Sequence, residues 1–506
     1  MITDRAKPLP TKSLKSSLRG LKRQWLGNPK ADILAGAVVG LALIPEAISF
    51  SIIAGVDPKV GLYTSVIIAI VTAFLGGRPG SISAATGAMA LLMIDLVKDH
   101  GLSYLLAATL VTGVVQLILG ISQVGRLMHY VPRAVMVGYI NALAILLFKA
   151  QLPHLLDVPP AVYGITAISL AIIYILPRFT TAIPSPLVAL VITTIAVITL
   201  DIQVPTVGDM GELPTALPPF ALPQVPLTLE TLRIILPYSL SLALVGLLAS
   251  FLTASLVDEL TDTPSDQNRE ARGQGIANMV TSCFGGMAGC GMIGQSVINV
   301  QSGGRGRLST LSAGLCLLGA MLVFSGWVQR MPMGALVAVM IMVSIGTFRW
   351  RSIRDITRLP RQEALAMVTT MGIIILTRNF ALGVAAGVVL SMILFTRRIA
   401  RLVFVDQVLQ EDGTHRVYRV SGQIFFLSVA PVLAAIDFTE VVDRVTLDLS
   451  HAHLWDQGAV ETLAKILTKF RQRGIAATVV GLNWPSAALV QRLGITFTPG
   501  PGSGIA

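Results

Sequence analysis

Between Ile33 and Val56 the chain is apolar over a length that can cross a bilayer, and a single ionisable side chain, Glu46, sits near the middle of that run. A membrane helix needs about 20 such residues. A charge at that depth costs roughly 2.5 to 3.5 kcal/mol on insertion scales, so a carboxylate kept there points to a position that handles an ion. Pro45 stands immediately before it and reads as a helix break.

Runs of this kind recur along the chain. Apolar segments fall near residues 32–46, 47–76, 82–98, 103–122, 132–151, 160–178, 185–202, 232–257, 268–284, 289–301, 309–329, 331–347, 363–378 and 380–396. These make about fourteen segments, several of them too short or too broken to be ideal spans. A composition of 53% hydrophobic and 13% charged residues, with a mean hydropathy of +0.74, excludes an ordinary soluble globular chain. The expected fold is therefore an α-helical polytopic membrane protein.

A net charge of +11 raises the question of nucleic acid, but the positions of the basic residues answer it. Arg78, Arg126, Arg178, Arg269, Arg272, Arg305, Arg307 and the cluster from Arg349 to Arg361 fall in loops of one parity, and the long loop 202–229 holds no Lys or Arg. This is the positive-inside pattern. It places both ends of the chain in the cytoplasm, as an even number of crossings of the plasma (inner) membrane requires, with the lipid bilayer rather than nucleic acid as partner. Residues 1–30 carry Arg5, Lys7, Lys12, Lys15, Arg19, Lys22, Arg23 and Lys30 with no apolar core, so no cleavable signal peptide is expected. Cys283, Cys290 and Cys316 lie in apolar surroundings without metal-ligand spacing. No Ser/His/Asp or phosphate-loop constellation points to an enzyme, and neither cofactor nor metal is expected.

The membrane region reads as duplicated. The Gly-rich stretch Ser81–Met93 has a counterpart in Ala288–Val300, about 207 positions later, and the segments starting near Asp32 and Leu240 are offset similarly. Short, Gly-interrupted segments in matched positions of two halves point to a midplane binding site in an inverted-repeat transporter. A helix starting at membrane depth presents free backbone N–H groups and the positive end of its dipole, and two such ends make an anion site. Taken singly, the glycines equally serve close helix packing in lipid. After Arg397–Arg401 the composition shifts to short β-rich runs alternating with amphipathic helices, the pattern of a small α/β domain. Strands are expected at Val417–Val420, Ile424–Phe426, Arg444–Leu449 and Ala476–Leu482, and helices at Val429–Ile436 and Ala459–Arg473. The implied division is a cytoplasmic segment 1–30, a transport domain 31–400, the α/β domain 401–496 and a Gly-rich flexible tail 497–506.

The stretches Ala35–Ile48 (AGAVVGLALIPEAI), Ala54–Tyr63 (AGVDPKVGLY), Gly76–Gly87 (GGRPGSISAATG), Asp266–Asn278 (DQNREARGQGIAN), Phe284–Met287 (FGGM) and Ser302–Ser309 (SGGRGRLS) resemble the sulfate permease family, solute carrier family 26. Val445–Ser450 (VTLDLS), Asp456 and Arg473–Gly474 are similar to the STAS domain of those transporters. The resemblance spans nearly the whole chain and implies fourteen transmembrane segments in a seven-plus-seven inverted repeat. The first four segments of each half would form a core that carries substrate, and the remaining three a gate, the core moving against the gate as an elevator in what is commonly a homodimer.

Carried onto this sequence, the family's anion site maps to Ala84, Ala85, Thr86, Gly87 and Ala88 and to Gly294, Gln295 and Ser296. Many relatives place an arginine where Gln295 stands, so their monovalent-anion specificity does not transfer. In the eighth segment the family often has an acidic residue before Ser-Leu-Leu-Thr, which helps bind sodium in sodium-coupled bicarbonate members. Here the run is Gly246-Leu247-Leu248-Ala249-Ser250-Phe251-Leu252-Thr253, and Ala249 cannot ligate a cation. That leaves Glu46 as the candidate for proton coupling, since removal from water favours the neutral form of a carboxyl. The alternative role for Glu46 is a structural acid capping the helix after Pro45.

Asp258, Glu259 and Asp95 read as solvated interface acids, and Asn268, Arg269 and Glu270 as a cap on the ninth helix. His451 and His453 alternate along a strand edge and do not form a metal pair. Gln457 occupies the position after Asp456 at which related bacterial regulators carry a phosphorylatable serine, so a docking or regulatory role is expected for that domain in place of a phospho-switch. Three classes of function stay open: a proton-coupled symporter of a dicarboxylate such as fumarate or of sulfate or bicarbonate; an anion exchanger or uncoupled channel; and a membrane sensor reporting through the STAS-like domain.

Overall fold

The computed structural model describes residues 22, 24–125, 131–180, 184–214, 216–226, 228–411 and 413–495. Most of the basic N-terminal segment, Arg126 and the Gly-rich tail lie outside the described residues. The chain forms two compact units, Met1–Val388 and Val389–Ala506.

The first unit is almost entirely helical. Its elements are α1 (Pro29–Ala54), α2 (Pro58–Leu75), β1 (Ser83–Ala85), α3 (Gly87–Ile121), α4 (Arg133–Gln151), α5 (Pro160–Ile175), α6 (Ser185–Thr199), α7 (Leu229–Thr261), α8 (Gln267–Cys283), β2 (Gly289–Gly291), α9 (Ile293–Gln301), α10 (Arg307–Gln329), α11 (Met333–Thr347), α12 (Trp350–Asp355) and α13 (Arg361–Thr377), and it includes the start of α14 (Phe380–Ala400). Among the described residues nine helices are long and apolar enough to cross a membrane. The fourteen expected segments are reached only by also counting α6, α8, α9 and α13 and by dividing α3 at Gly101, whose φ of 79° interrupts the helix.

Pro45 does not break its helix. α1 continues through it to Ala54 and ends at Gly55, whose φ of 79° and amide bond to the Ile52 carbonyl close the last turn. Proline removes one backbone bond, a loss that membrane helices tolerate. The break expected between residues 46 and 47 is therefore moved to Gly55, and no helix begins at Glu46 for that side chain to cap.

The helices pack in two groups. α1 lies along α10, with Gly40 so close that an added Cβ would stand 2.6 Å from the Ala313 carbonyl oxygen. α3 packs on α7 and α8, where Gly113 and Gly275 bring the backbones of α3 and α8 together. Small residues let helices approach in this way where lipid supplies no hydrophobic drive for association. The second group joins α4 to α13 and α11, and α5 to α6 and α11.

In the second unit β3 (Phe404–Leu409) is antiparallel to β4 (His415–Ile424), and β4, β5 (Arg444–Leu454) and β6 (Ala476–Val480) are parallel, in the order β3-β4-β5-β6. Helices α15 (Val429–Ala434), α16 (Gln457–Gln472) and α17 (Trp484–Arg492) complete it, around a core that includes Tyr418, Leu447, Leu449, Val479, Ile466 and Phe470. Of the two strands expected at Val417–Val420 and Ile424–Phe426, the first lies in β4, which runs on to end at Ile424, and Phe425 and Phe426 fall in the turn that follows. Gly422 lies within β4 with a φ of 115°, and its missing Cβ admits the Leu402 carbonyl. The pairing shifts register between Arg419 and Ser421. β3 and α17 carry no clear signal in the sequence; β3 is an edge strand whose side chains are largely exposed, so it lacks the alternation that marks a half-buried strand.

Candidate functional site

Two three-residue strands, 206 positions apart, form a short antiparallel ladder inside the helical unit: Ser83 opposite Gly291, Ala84 opposite Cys290 and Ala85 opposite Gly289. Each strand runs directly into a helix, β1 through Thr86 into α3 and β2 through Met292 into α9. The first intrahelical bonds are Ala90 N–H to the Thr86 carbonyl and Ser296 N–H to the Met292 carbonyl, each 3.0 Å. The amides of residues 87–89 and 293–295 precede those bonds, and neither helix has a side-chain cap. Two helix N-termini with open amides therefore flank one buried ladder, and both present the positive ends of their dipoles.

All of the sequence-predicted anion residues belong to this arrangement. Ala84, Ala85, Thr86, Gly87 and Ala88 are buried, with Gly87 held between Phe50 of α1 and Leu147 of α4. Gly294 is exposed, and no atom would meet a Cβ there within 4 Å. Gln295 is buried and donates from Nε2 to Glu46 Oε1 at 2.8 Å, while its own Oε1 has no protein partner. Ser296 is also buried, but its hydroxyl accepts from the Ile82 amide at 2.8 Å. That bond locks α9 to the residue before β1 and makes Ser296 a tie between the two halves.

The ladder is suspended by polar side chains from four helices. Ser65 of α2 accepts from the Ala85 amide at 3.2 Å, and Ser250 of α7 accepts from the Gly291 amide at 2.9 Å. Asn278 of α8 accepts from the Gly289 amide at 2.9 Å and donates to Gln116 of α3 at 2.8 Å. Three-residue strand pairings leave backbone groups unpaired, and each would be costly in an apolar interior. Of these supports only Asn278 and Ser250 belong to stretches singled out from the sequence. Ser65 and Gln116 were missed, because a lone polar residue in an apolar helix does not reveal which distant backbone it meets; Cys290 falls in the Gly-rich stretch Ala288–Val300, but its contact with Thr86 was not legible there. Cys290 Sγ lies 3.1 Å from Thr86 Oγ1. Ala249 packs in the apolar cluster with Phe50, Ala85, Met89 and Cys290.

The run from Asp266 to Asn278 is a clamp at the end of α8. Asp266 caps α8 by accepting from the Arg269 amide at 2.9 Å, and Asn268 accepts from the Gly125 amide at 3.0 Å. Buried Glu270 accepts from the amides of Gly77 and Arg78 at 2.7 and 3.1 Å, and Gln274 donates to Ser83 at 2.6 Å. The loop leading into β1 is thus fixed by α8. Asp258 pairs with the buried guanidinium of Arg78 at 3.2 Å, a more specific role than the solvated one expected for it. In the second unit Asp456 caps α16, accepting from the Ala459 amide at 2.8 Å, and Gln457 bonds to Glu461 at 2.6 Å. No group of three or more His, Cys, Asp or Glu suited to a metal ion occurs among the described residues.

Comparison with known proteins gives the same picture. The sulfate permease family model matches residues 30–168 and 158–370, and the STAS domain model matches 407–500. The putative sulfate transporter YbaR of Bacillus subtilis is 54% identical over 473 residues, covering 94% of this chain and 98% of that protein. The bicarbonate transporter BicA of Picosynechococcus is 28% identical, covering 74% of this chain and 71% of its own length. Among solved structures, the transmembrane domain of a cyanobacterial BicA superposes with a TM-score of 0.62 at 26% identity, over 72% of this chain and 97% of that one. Murine Slc26a9 in its inward-facing state superposes with a TM-score of 0.79 at 16% identity, over 97% and 92% of the two chains, which is a likeness of fold. A multi-pass helical unit followed by a STAS domain, matched along nearly its whole length, places this chain in the sulfate permease family.

Proposed function

We propose that this protein moves a small oxyanion across the membrane together with a proton carried by Glu46, and that the anion is a dicarboxylate such as fumarate. The observation that carries the reading is the 2.8 Å bond from Gln295 to Glu46, which joins a buried ionisable group to the first turn of α9. Ionised Glu46 takes up a donor at the anion site and sets a negative charge beside it. Protonation withdraws that charge and weakens the claim on the Gln295 amide, so proton and anion favour each other's binding. Anion transport as such is supported by the family and by relatives named as sulfate or bicarbonate transporters. Ala249, at the position where a carboxylate would serve sodium, argues against sodium coupling.

Sulfate is the second reading for the substrate, favoured by the name of the relative at 54% identity; bicarbonate follows from the likeness to BicA. Movement of the ladder with α1–α3 and α7–α10 against the group α4–α6 and α11–α14 is the expected transport step, in a homodimer with the N-terminus and STAS domain in the cytoplasm. Uptake into proteoliposomes tests the reading. An inward pH gradient should drive accumulation of the anion, and Glu46→Gln should abolish that accumulation while leaving downhill exchange. Uptake indifferent to the pH gradient, or dependent on sodium, makes the protein an exchanger, a channel or a sodium symporter, and the absence of flux for every anion makes it a sensor.

A further inference from the structure

We infer that Cys290 keeps the anion-facing amides of α3 open by holding the Thr86 hydroxyl away from them. The inference rests on the anion-site reading above and adds a positioning residue to it. Thr86 is the N-cap of α3, and a threonine there ordinarily accepts a hydrogen bond from the N–H two or three residues on. Elsewhere in this chain threonine does so: Thr228 accepts from the Thr231 amide at 3.2 Å at the start of α7. Thr86 makes no such bond. Its Oγ1 lies 3.1 Å from Cys290 Sγ on the opposing strand of the ladder.

Cys290 is itself fixed. It stands opposite Ala84 in the ladder, is fully buried, and lies under α7, where a Cβ on Gly246 would come within 3.6 Å of the cysteine Cβ. The matching helix α9 needs no such device, since its N-cap is Met292, whose thioether is a poor acceptor. The two helix ends thus reach the same uncapped state by different routes, one through an apolar cap and the other through a diverted polar cap. The buried, unpartnered Oε1 of Gln295 in the first turn of α9 is a second sign that polar groups here await a ligand.

Steady-state uptake and amide exchange test this on the full-length protein in liposomes. Cys290→Ala should release Thr86 to cap its own helix and raise KM for the transported anion about fivefold, the equilibrium equivalent of a typical threonine cap, with kcat little changed. Cys290→Ser, which keeps a partner for the hydroxyl, should restore KM. In a Thr86→Val background, Cys290→Ala should add nothing. Hydrogen exchange of the 87–89 amides should slow in Cys290→Ala and return to the wild-type rate in Cys290→Ala/Thr86→Val. An unchanged KM and exchange rate in Cys290→Ala, or an equal effect in the valine background, overturns the proposal. Absence of flux in the wild type would instead refute the transport reading, and the exchange measurement, which needs no transport, would still decide the role of Cys290.

Discussion

Glu46 and Gln295, 249 positions apart, meet through a 2.8 Å hydrogen bond between the middle of α1 and the first turn of α9. The carboxylate is therefore tied to the helix end that would hold the anion, and any change in its charge is felt there. Gln295→Arg would set a fixed cation against Glu46 and stabilise its ionised form. The expected outcome is anion uptake that no longer rises with an inward pH gradient, read by comparing initial rates across a series of external pH values.

At Gly246 α7 passes close over α3 and the ladder. A Cβ there would collide with the Met89 methyl and stand 2.8 Å from Gln116 Nε2. Gly246→Leu should cost about 1 to 3 kcal/mol through overpacking and displace the Gln116–Asn278 bond that supports the Gly289 amide. Thermal unfolding in detergent should show the loss of stability, and uptake should fall with it.

Glu270 satisfies the buried amides of both Gly77 and Arg78. Glu270→Ala leaves those donors unpaired in the interior, at a cost of roughly 2 kcal/mol or more. A lowered unfolding temperature is expected, together with faster proteolysis in the loop before β1; Glu270→Gln, which keeps one acceptor oxygen, should fall between.

Asp209 lies outside the spans and closes a capping box in the loop after α6, accepting from the Thr206 amide at 2.7 Å and its hydroxyl at 2.9 Å. These bonds hold its carboxyl below the ordinary aspartate value of 3.8. Because the folded-state value is depressed, the contribution is present above the ordinary value and is lost as pH falls through the lower one. Protease sensitivity of residues 201–214 should therefore increase only in acid below that ordinary value. Asp209→Asn should remove the pH dependence of that sensitivity.

Helix positions and the matched Gly-rich segments were legible in the sequence because apolar runs of bilayer length and glycine interruptions are local signals. Pro45 misled because proline's effect on a helix depends on the packing around it, and the chain turns instead at Gly55, where a left-handed backbone conformation is needed. The residues expected to hold the anion, 84–88 and 294–296, were placed by family resemblance. Their supports Ser65 and Gln116, and the contact that Cys290 makes, were not, since which group a buried hydroxyl, amide or thiol meets is a long-range fact.

By itself the sequence determined that this is a helical membrane protein with a lone acid, Glu46, in its first apolar run and a C-terminal α/β domain, because burial and periodicity are written residue by residue. Only the tertiary structure decided that Glu46 bonds Gln295, that β1 and β2 pair through Ala84 and Cys290, and that Thr86 turns from its own helix to Cys290. Those relationships span 204 to 249 positions. Backbone groups at that depth have no water to turn to, so they take their partners wherever the packed helices bring them.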